Sequence, residues 1–404
     1  MKKILLIILD GVGDRPSASL NNRTPLQAAY RPNMNYLAKR GLTGVVHSIS
    51  AGVAAGSDTS HLSLLGYNPK EVYTGRGPFE AIGLGMKASG GDIAFRANFA
   101  TIDDEGIIVD RRAGRNSYGT EKLAKELSIT IDDVKFFVKE GVEHRAALLM
   151  RGEDLSPDVS DSDPHVTGEQ PRKIAPLSDN GRKTAEVLNK YLKEAFRILR
   201  ESNVNSEREA KGISPANALL LRGAGVVPKL QPFEERYGMK GACVAGIPLI
   251  NGIASLCGLD VHTYEKGTGT LHSDFFGKTK LAVSLLKKYD FVLMNIKAPD
   301  IAGHDRDPVA KKEAIERIDK AFSQLEPITK TTLIAITGDH STPCSVGEHS
   351  GDSVPIVFMT EGIRKDATYA FDEISCSNGL LRITSNDVMQ YLLALSDRTE
   401  KYGA

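Results

Sequence analysis

The sequence predicts an α/β fold: a doubly wound sheet carrying an inserted, smaller α+β domain. Three observations point there. Apolar, β-branched runs of strand length, Ile4 to Leu9, Phe291 to Ile296 and Leu333 to Thr337, each break off and are followed by an acid. These runs lie near the two ends of the chain, and helix-period stretches separate them. Between about Gly90 and Val244 that pattern disappears. One domain is therefore expected from residues 1–82 and 243–404, with residues 83–242 inserted into it.

Taken in order, Lys2-Lys3 and the apolar run to Leu9 read as a first strand, because the run is too short for a secretory signal and no small-residue cleavage site follows. A Gly- and Pro-punctuated loop leads to a helix over Pro32 to Arg40 and a strand over Gly44 to Ser48. Ser57 or Asp58 is a natural N-cap for two helical turns closed by Gly66. The Gly-rich stretch from Tyr73 reads as a hinge or domain boundary. In the insert, strands are expected over Asp92 to Ile102, Gly106 to Asp110 and Ala146 to Met150. An amphipathic helix, Asn180 to Glu201, keeps Val187, Leu188, Tyr191, Leu192, Ala195, Phe196 and Leu199 on one face and its Lys and Arg residues in water. From Cys243 the alternation resumes: a helix over Pro248 to Leu259, a strand over Asp260 to Tyr264 and a helix around Lys278 to Lys288. A further helix opens at Pro308 and runs to Leu325, with Ala310, Ala314, Ile318, Ala321, Phe322 and Leu325 inward. A strand, Val354 to Met359, and a helix starting at Asn386-Asp387 close the chain.

The chemistry gathers at the ends of the strand runs, where ligands collect in open α/β sheets. Asp10 follows the first run, Asp300 and His304 the second, Asp339 and His340 the third, and His349 sits in the next loop. Asp300 and His304 share one helical face if that segment is a turn of helix. A lone acid after a strand is an ordinary N-cap, but repeated acids with histidines suit a divalent cation. Six such ligands exceed one tetrahedral ion, so two ions are expected. A metal next to the Ser57 segment would turn a hydroxyl there into a nucleophile, placed at the positive end of a helix. On that ground alone Thr59 and Ser60 remain as open as Ser57. Cys344, beside these ligands, reads as a small loop or core residue.

Arginines concentrate in the insert: Arg96, the D-R-R-A-G-R turn from Asp110 through Arg111 to Arg115, Arg145 and Arg222. Their forked guanidinium groups suit carboxylate or phosphate. His165, in S-D-S-D-P-H, fits either a metal-binding or a solvated loop. Lys278 reads either as a charge for a phosphate or as a solvated helix lysine. The formal charge is zero, with 51 basic and 51 acidic side chains, so no global field favours nucleic acid or acidic lipid. No run reaches membrane-spanning length. The four scattered cysteines, without C-x-x-C spacing, fit a reducing cytoplasm.

Asp10 to Asp14 (D-G-V-G-D), Gly56 to His61 (G-S-D-T-S-H), Asp300 to His304 (D-I-A-G-H), Gly338 to His340 (G-D-H) and His349 together resemble the motifs of the alkaline phosphatase superfamily. The Y-T-G-R-G-P-F-E stretch from Tyr73, D-R-R-A-G-R and the overall length narrow the resemblance to the archaeal-type cofactor-independent phosphoglycerate mutases, along essentially the whole chain. The resemblance implies a cytoplasmic isomerase that interconverts 3-phosphoglycerate and 2-phosphoglycerate without 2,3-bisphosphoglycerate, through a phosphoserine. It implies two divalent ions (Mn²⁺, Mg²⁺, Zn²⁺ or Co²⁺), one held by Asp10, Ser57, Asp339 and His340, the other by Asp300, His304 and His349. The family nucleophile stands four residues before a histidine, which selects Ser57 relative to His61. The substrate contacts are then expected from Arg96, Asp110, Arg111, Arg115, Arg145, His165 and Arg222 of the inserted substrate domain, with Lys278, which lies outside the insert, as a further contact. The alternatives are a phosphomonoesterase or another phosphomutase on the same metal domain, or a metal-stabilised binding protein without catalysis.

Overall fold

The computed structural model describes residues 1–399, 401 and 403. They form two compact units, Met1–Val72 with Leu230–Ala404, and Tyr73–Lys229. The divisions fall earlier than the expected 82/83 and 242/243, for a packing reason. The glycine-rich hinge stretch contains a helix, Gly77–Gly83, whose Pro78, Phe79 and Ala81 are buried on the Ile93–Ile102 strand of the second unit. At the other division, Phe233 packs against Phe291 of the first unit, the ring centroids 4.7 Å apart and the planes tilted by 37°.

The first unit is built on an eight-stranded sheet. Its strands lie side by side in the order Asp260–His262, Gly241–Val244, Phe291–Ile296, Lys3–Leu9, Thr332–Thr337, Val354–Met359, Leu42–His47 and Leu381–Thr384. All are parallel except Val354–Met359, which runs against both neighbours. The central strands are buried along their length, which is why they read as continuous apolar runs rather than alternating ones. Helices Pro32–Arg40, Phe275–Leu285 and Pro308–Ala321 close over a core of Leu5, Ile7, Leu9, Met34, Leu37, Ile315, Ile318 and Phe322. Pro308 begins its helix as expected, capped by Asp307, but the α-helix stops at Ala321 and Phe322–Gln324 continue as a 3-10 turn. Ala310 is only half-buried; Lys311 and Ile315 occupy the inner face instead.

The second unit is antiparallel. Ile93–Ile102 lies at its centre, paired with Ile108–Asp110, Arg145–Arg151 and Ala218–Val226, and Arg145–Arg151 pairs in turn with Val134–Glu140. The helix Arg182–Glu201 lays Leu188, Tyr191, Ala195 and Leu199 on this sheet, with Tyr191 stacked on Phe136 at 4.0 Å between centroids. Val134–Glu140 alternates buried and exposed residues, the pattern of a one-sided strand. No helix among the described residues is long and apolar enough to cross a membrane.

Candidate active site

Sheet order brings the first unit's chemistry together. The strand Lys3–Leu9 sits between Phe291–Ile296 and Thr332–Thr337, parallel to both, with Leu9 beside Ile296 and Ile8 beside Thr337. The three chain segments that leave these strands carry Asp10, Lys297 to His304, and Asp339 with His340, so residues hundreds of positions apart emerge at one edge. Asp300 and His304 do lie on one helix, Ala298–His304. The close quarters demand glycine: a Cβ on Gly11, whose φ is +63°, would lie 2.7 Å from Asp300.

Two overlapping groups of potential metal ligands result. Asp10, Asp339 and His340 form one; Asp300, His340 and His349 form the other, the ligand atoms of each lying within 4.8 Å of one another. His340 Nε2 is 3.6 Å from Asp10 Oδ1 and 3.3 Å from Asp339 Oδ2, and its ring stacks on His349 at 3.6 Å. His304 stands at the margin. Its Nε2 is 3.5 Å from Asp300 Oδ1, and its Nδ1 lies 2.9 Å from the Gly347 carbonyl. Cys344 stays outside both groups; its buried Sγ donates to Asp14 at 3.1 Å.

Ser57 is the first residue of the helix Ser57–Leu64, and Gly56, rather than Ser57 or Asp58, is the N-cap. The Ser57 hydroxyl makes no cap bond. It turns inward, 3.1 Å from His340 Nε2 and 3.4 Å from Lys297 Nζ. Thr59 instead donates its hydroxyl to the Gly56 carbonyl, 3.1 Å away, and Ser60 Oγ is buried without a hydrogen-bond partner.

Two groups at this site, Lys297 and Asn295, went unread in the sequence, and His61, which served there only to mark Ser57, makes contacts of its own. Lys297 Nζ pairs with Asp10 Oδ1 at 2.8 Å and Asp300 Oδ2 at 2.7 Å. Asn295 Nδ2 donates to Asp10 Oδ2 at 3.0 Å and lies 3.2 Å from His61 Nε2. His61 Nδ1 is 2.7 Å from the carbonyl oxygen of Ser57 and 3.6 Å from Asp339 Oδ2. Asn295, the polar break in an otherwise apolar buried strand, was the readable signal.

The electrostatics are those of a site short of positive charge. Burial, then the charge of Asp339, push the Asp10 carboxyl up to about 7 despite Lys297. Burial opposes ionisation of Asp300 too, yet Lys297 and the neighbouring histidines hold it well below the usual range. Burial drives His340 down to about 4, so it is neutral and free to ligate. Asp339 Oδ2 is buried with no hydrogen-bond partner. Crowded carboxylates, neutral imidazole and an orphaned buried oxygen fit divalent cations.

The second unit shows the opposite imbalance. Arg96 and Arg222 sit opposite each other on paired strands. Burial first, then the charges of Arg76, Arg222 and Arg145, bring Arg96 down to about 9, with Glu80 opposing. Arg222 Nε is buried without a hydrogen-bond partner. Arg111 makes a bidentate pair with buried Asp163 at 2.9 and 2.7 Å. Arg111, Arg112, Arg115 and His165 line an open cavity of about 590 Å³. Asp110 lines it as well, but its carboxylate accepts the N–H groups of Arg112 and Gly114, 2.8 and 2.6 Å away, and so shapes the turn. His165 is exposed with φ +66°, and its N–H donates to Asp163 Oδ1 at 3.0 Å. Among the described residues both potential metal groups lie in the first unit, so the S-D-S-D-P-H loop gathers no ligand set. Arg76 and Asp163 were not singled out in the sequence.

Lys278 belongs to the first unit. It is 1% exposed, which rules out a solvated lysine, and burial lowers it to about 8.

Comparison with known proteins agrees with this architecture. Residues 38–205 match the family described as 2,3-bisphosphoglycerate-independent phosphoglycerate mutase. The mutase of that name from Thermoplasma volcanium is 53% identical, over 100% of this chain and 99% of the relative. One from Methanocaldococcus jannaschii is 47% identical over the same shares. A solved cofactor-independent phosphoglycerate mutase from Thermoplasma acidophilum is 49% identical with a TM-score of 0.74, the match covering 98% of this chain and 100% of that one. The chain belongs to the 2,3-bisphosphoglycerate-independent phosphoglycerate mutase family.

Proposed function

We propose that the protein interconverts 3-phosphoglycerate and 2-phosphoglycerate by passing the phosphoryl group through Ser57. The observation that carries the assignment is the Ser57 hydroxyl itself: first residue of a helix, buried, and within 3.4 Å of both His340 Nε2 and Lys297 Nζ. Asp10, Asp339 and His340 on one side, and Asp300, His340 and His349 with His304 at the margin, would hold divalent cations. Bound there, such ions would lower the pKa of the serine hydroxyl and neutralise charge on the transferring phosphoryl group.

The protein's own groups account for the rest. Ser57 Oγ forms the bond to phosphorus as the ester oxygen of the substrate leaves, and that oxygen takes up a proton as glycerate. Lys297 places a positive charge at Ser57 Oγ while the hydroxyl is deprotonated, and the start of the helix favours a phosphate there. In the return step the other glycerate hydroxyl attacks the phosphoserine and Ser57 recovers its proton. Glycerate must stay bound throughout. Arg96, Arg111, Arg115, Arg145 and Arg222 of the second unit, joined by Arg76, are proposed to bind its carboxylate and the phosphate; Asp110 and His165 shape the loops that present them. Lys278 is proposed to add charge at the phosphate. The candidate cations are Mn²⁺, Mg²⁺, Zn²⁺ and Co²⁺. The buried free cysteines favour a reducing compartment.

The test is product identity. Metal-loaded enzyme given 3-phosphoglycerate should yield 2-phosphoglycerate with little inorganic phosphate. Phosphate release matching substrate loss would make the protein a phosphomonoesterase instead.

A further inference from the structure

Lys311 lies on the inner face of the helix Pro308–Ala321 and is fully buried. Its ammonium has three protons and three partners. It donates to Asp14 Oδ2 at 2.7 Å, to the Thr342 carbonyl at 3.0 Å and to the Gly13 carbonyl at 3.2 Å. Gly13 and Asp14 belong to the loop that follows Asp10. Thr342 stands two residues after His340 in the loop that follows Asp339. Lys311 itself belongs to the helix next after the one carrying Asp300 and His304.

The contacts continue to the candidate ligands. Thr342 Oγ1 donates to Asp300 Oδ1 at 2.7 Å and lies 3.1 Å from His340 Nδ1. The Thr342 N–H donates to the Gly13 carbonyl at 3.1 Å, the same oxygen that Lys311 holds. Asp14 Oδ1 accepts the Cys344 N–H at 3.1 Å. A Cβ on Gly303 would lie 2.4 Å from the Thr342 carbonyl, so the helix bearing Asp300 is packed directly on this junction.

We infer that Lys311, paired with Asp14, is a positioning residue for the cation site: it fixes the three ligand-bearing segments against one another through Thr342 and touches no substrate. The inference rests on the reading that Asp10, Asp300, Asp339, His340 and His349 hold divalent ions. Partners of this kind, behind the ligands, typically change metal affinity by about 10–100-fold when removed. Removing the lysine alone would strand a buried carboxylate and endanger the fold. The informative variant therefore neutralises both partners, Asp14→Asn with Lys311→Met. Thr342→Val is a second variant, which deletes only the linking hydroxyl.

Mn²⁺ binding to the full chain is measured by titration calorimetry, alongside the melting temperature of the metal-free protein and the mutase kcat at saturating Mn²⁺. The double variant is expected to melt near the wild type without metal, bind Mn²⁺ at least about 10-fold more weakly, and regain kcat as Mn²⁺ is raised. Thr342→Val should weaken Mn²⁺ in the same direction. Folded variants with wild-type Mn²⁺ affinity, whatever their melting temperature, would overturn the inference and leave the cation site standing. Wild-type protein that takes up no Mn²⁺ would overturn both.

Discussion

The two units are frustrated in opposite senses. In the first, the carboxylates of Asp10 and Asp300 share Lys297, and the cost appears on Asp10, pushed up to about 7 by burial and then by Asp339. In the second, arginines crowd one face of an antiparallel sheet, and the cost appears on Arg96, pulled down to about 9 by burial and then by Arg76, Arg222 and Arg145. Each region carries charge that folding alone would not retain. A carboxylate cluster is relieved by cations and an arginine cluster by an anion, so the imbalance reports what each unit binds. Such groups weaken the empty protein and strengthen the loaded one.

That contrast can be broken by substitution. The largest effect is expected at Ser57. Ser57→Ala should cut mutase turnover by at least ~10⁴-fold, read in a coupled assay, while circular dichroism and the melting temperature stay at wild-type values. Next come the crowded charges themselves. Asp10→Asn should raise the melting temperature of the metal-free protein and erase the further rise that Mn²⁺ gives the wild type. A fall in the metal-free melting temperature would mean that the Lys297 pair outweighs carboxylate repulsion. Arg96→Met should raise KM for 3-phosphoglycerate by about 10–100-fold, the loss of one charged hydrogen-bonding contact, without lowering stability. An unchanged KM would remove Arg96 from the substrate.

Lys278 gives a smaller effect with a defined pH dependence. Its pKa is depressed from 10.5 to about 8 in the folded state, chiefly by burial. The unfolded chain therefore holds the proton more tightly, and stability rises with pH between about 8 and 10.5. At pH 7 the buried charge costs about 3 kcal/mol. Lys278→Met should therefore raise the denaturation midpoint at pH 7, with the gain shrinking towards pH 10.5, while activity falls. A gain in stability with full activity would leave the lysine no role at the phosphate.

The first unit was more legible in the sequence than the second, and the reason is architectural. Buried parallel strands are continuous apolar runs, so whatever ends them stands out: Asp10, Asp339 and His340 are visible because Ile4–Leu9 and Leu333–Thr337 are unbroken. The sheet order that makes these ends neighbours is a long-range property with no local trace. The edges of the antiparallel unit carry weaker patterns, and the strands Val134–Glu140 and Ala218–Val226 went unread although Arg222 was singled out. Apolar periodicity also misled. It placed Ala310 inward, whereas Lys311 shares a face with Ala314, Ile315 and Ile318 and is the buried residue. A lysine in that seam looks like a flaw in the pattern until its three partners are seen. Lys297 was overlooked for a similar reason, since a basic residue after a strand resembles any surface lysine.

The account stands most directly on where the phosphoryl group rests between its two positions. Metal-loaded enzyme mixed with 3-phosphoglycerate labelled in its phosphate, quenched in acid within a turnover and digested, should carry the label on the peptide containing Ser57. Label on another side chain, or an unlabelled protein that still forms 2-phosphoglycerate, would contradict it.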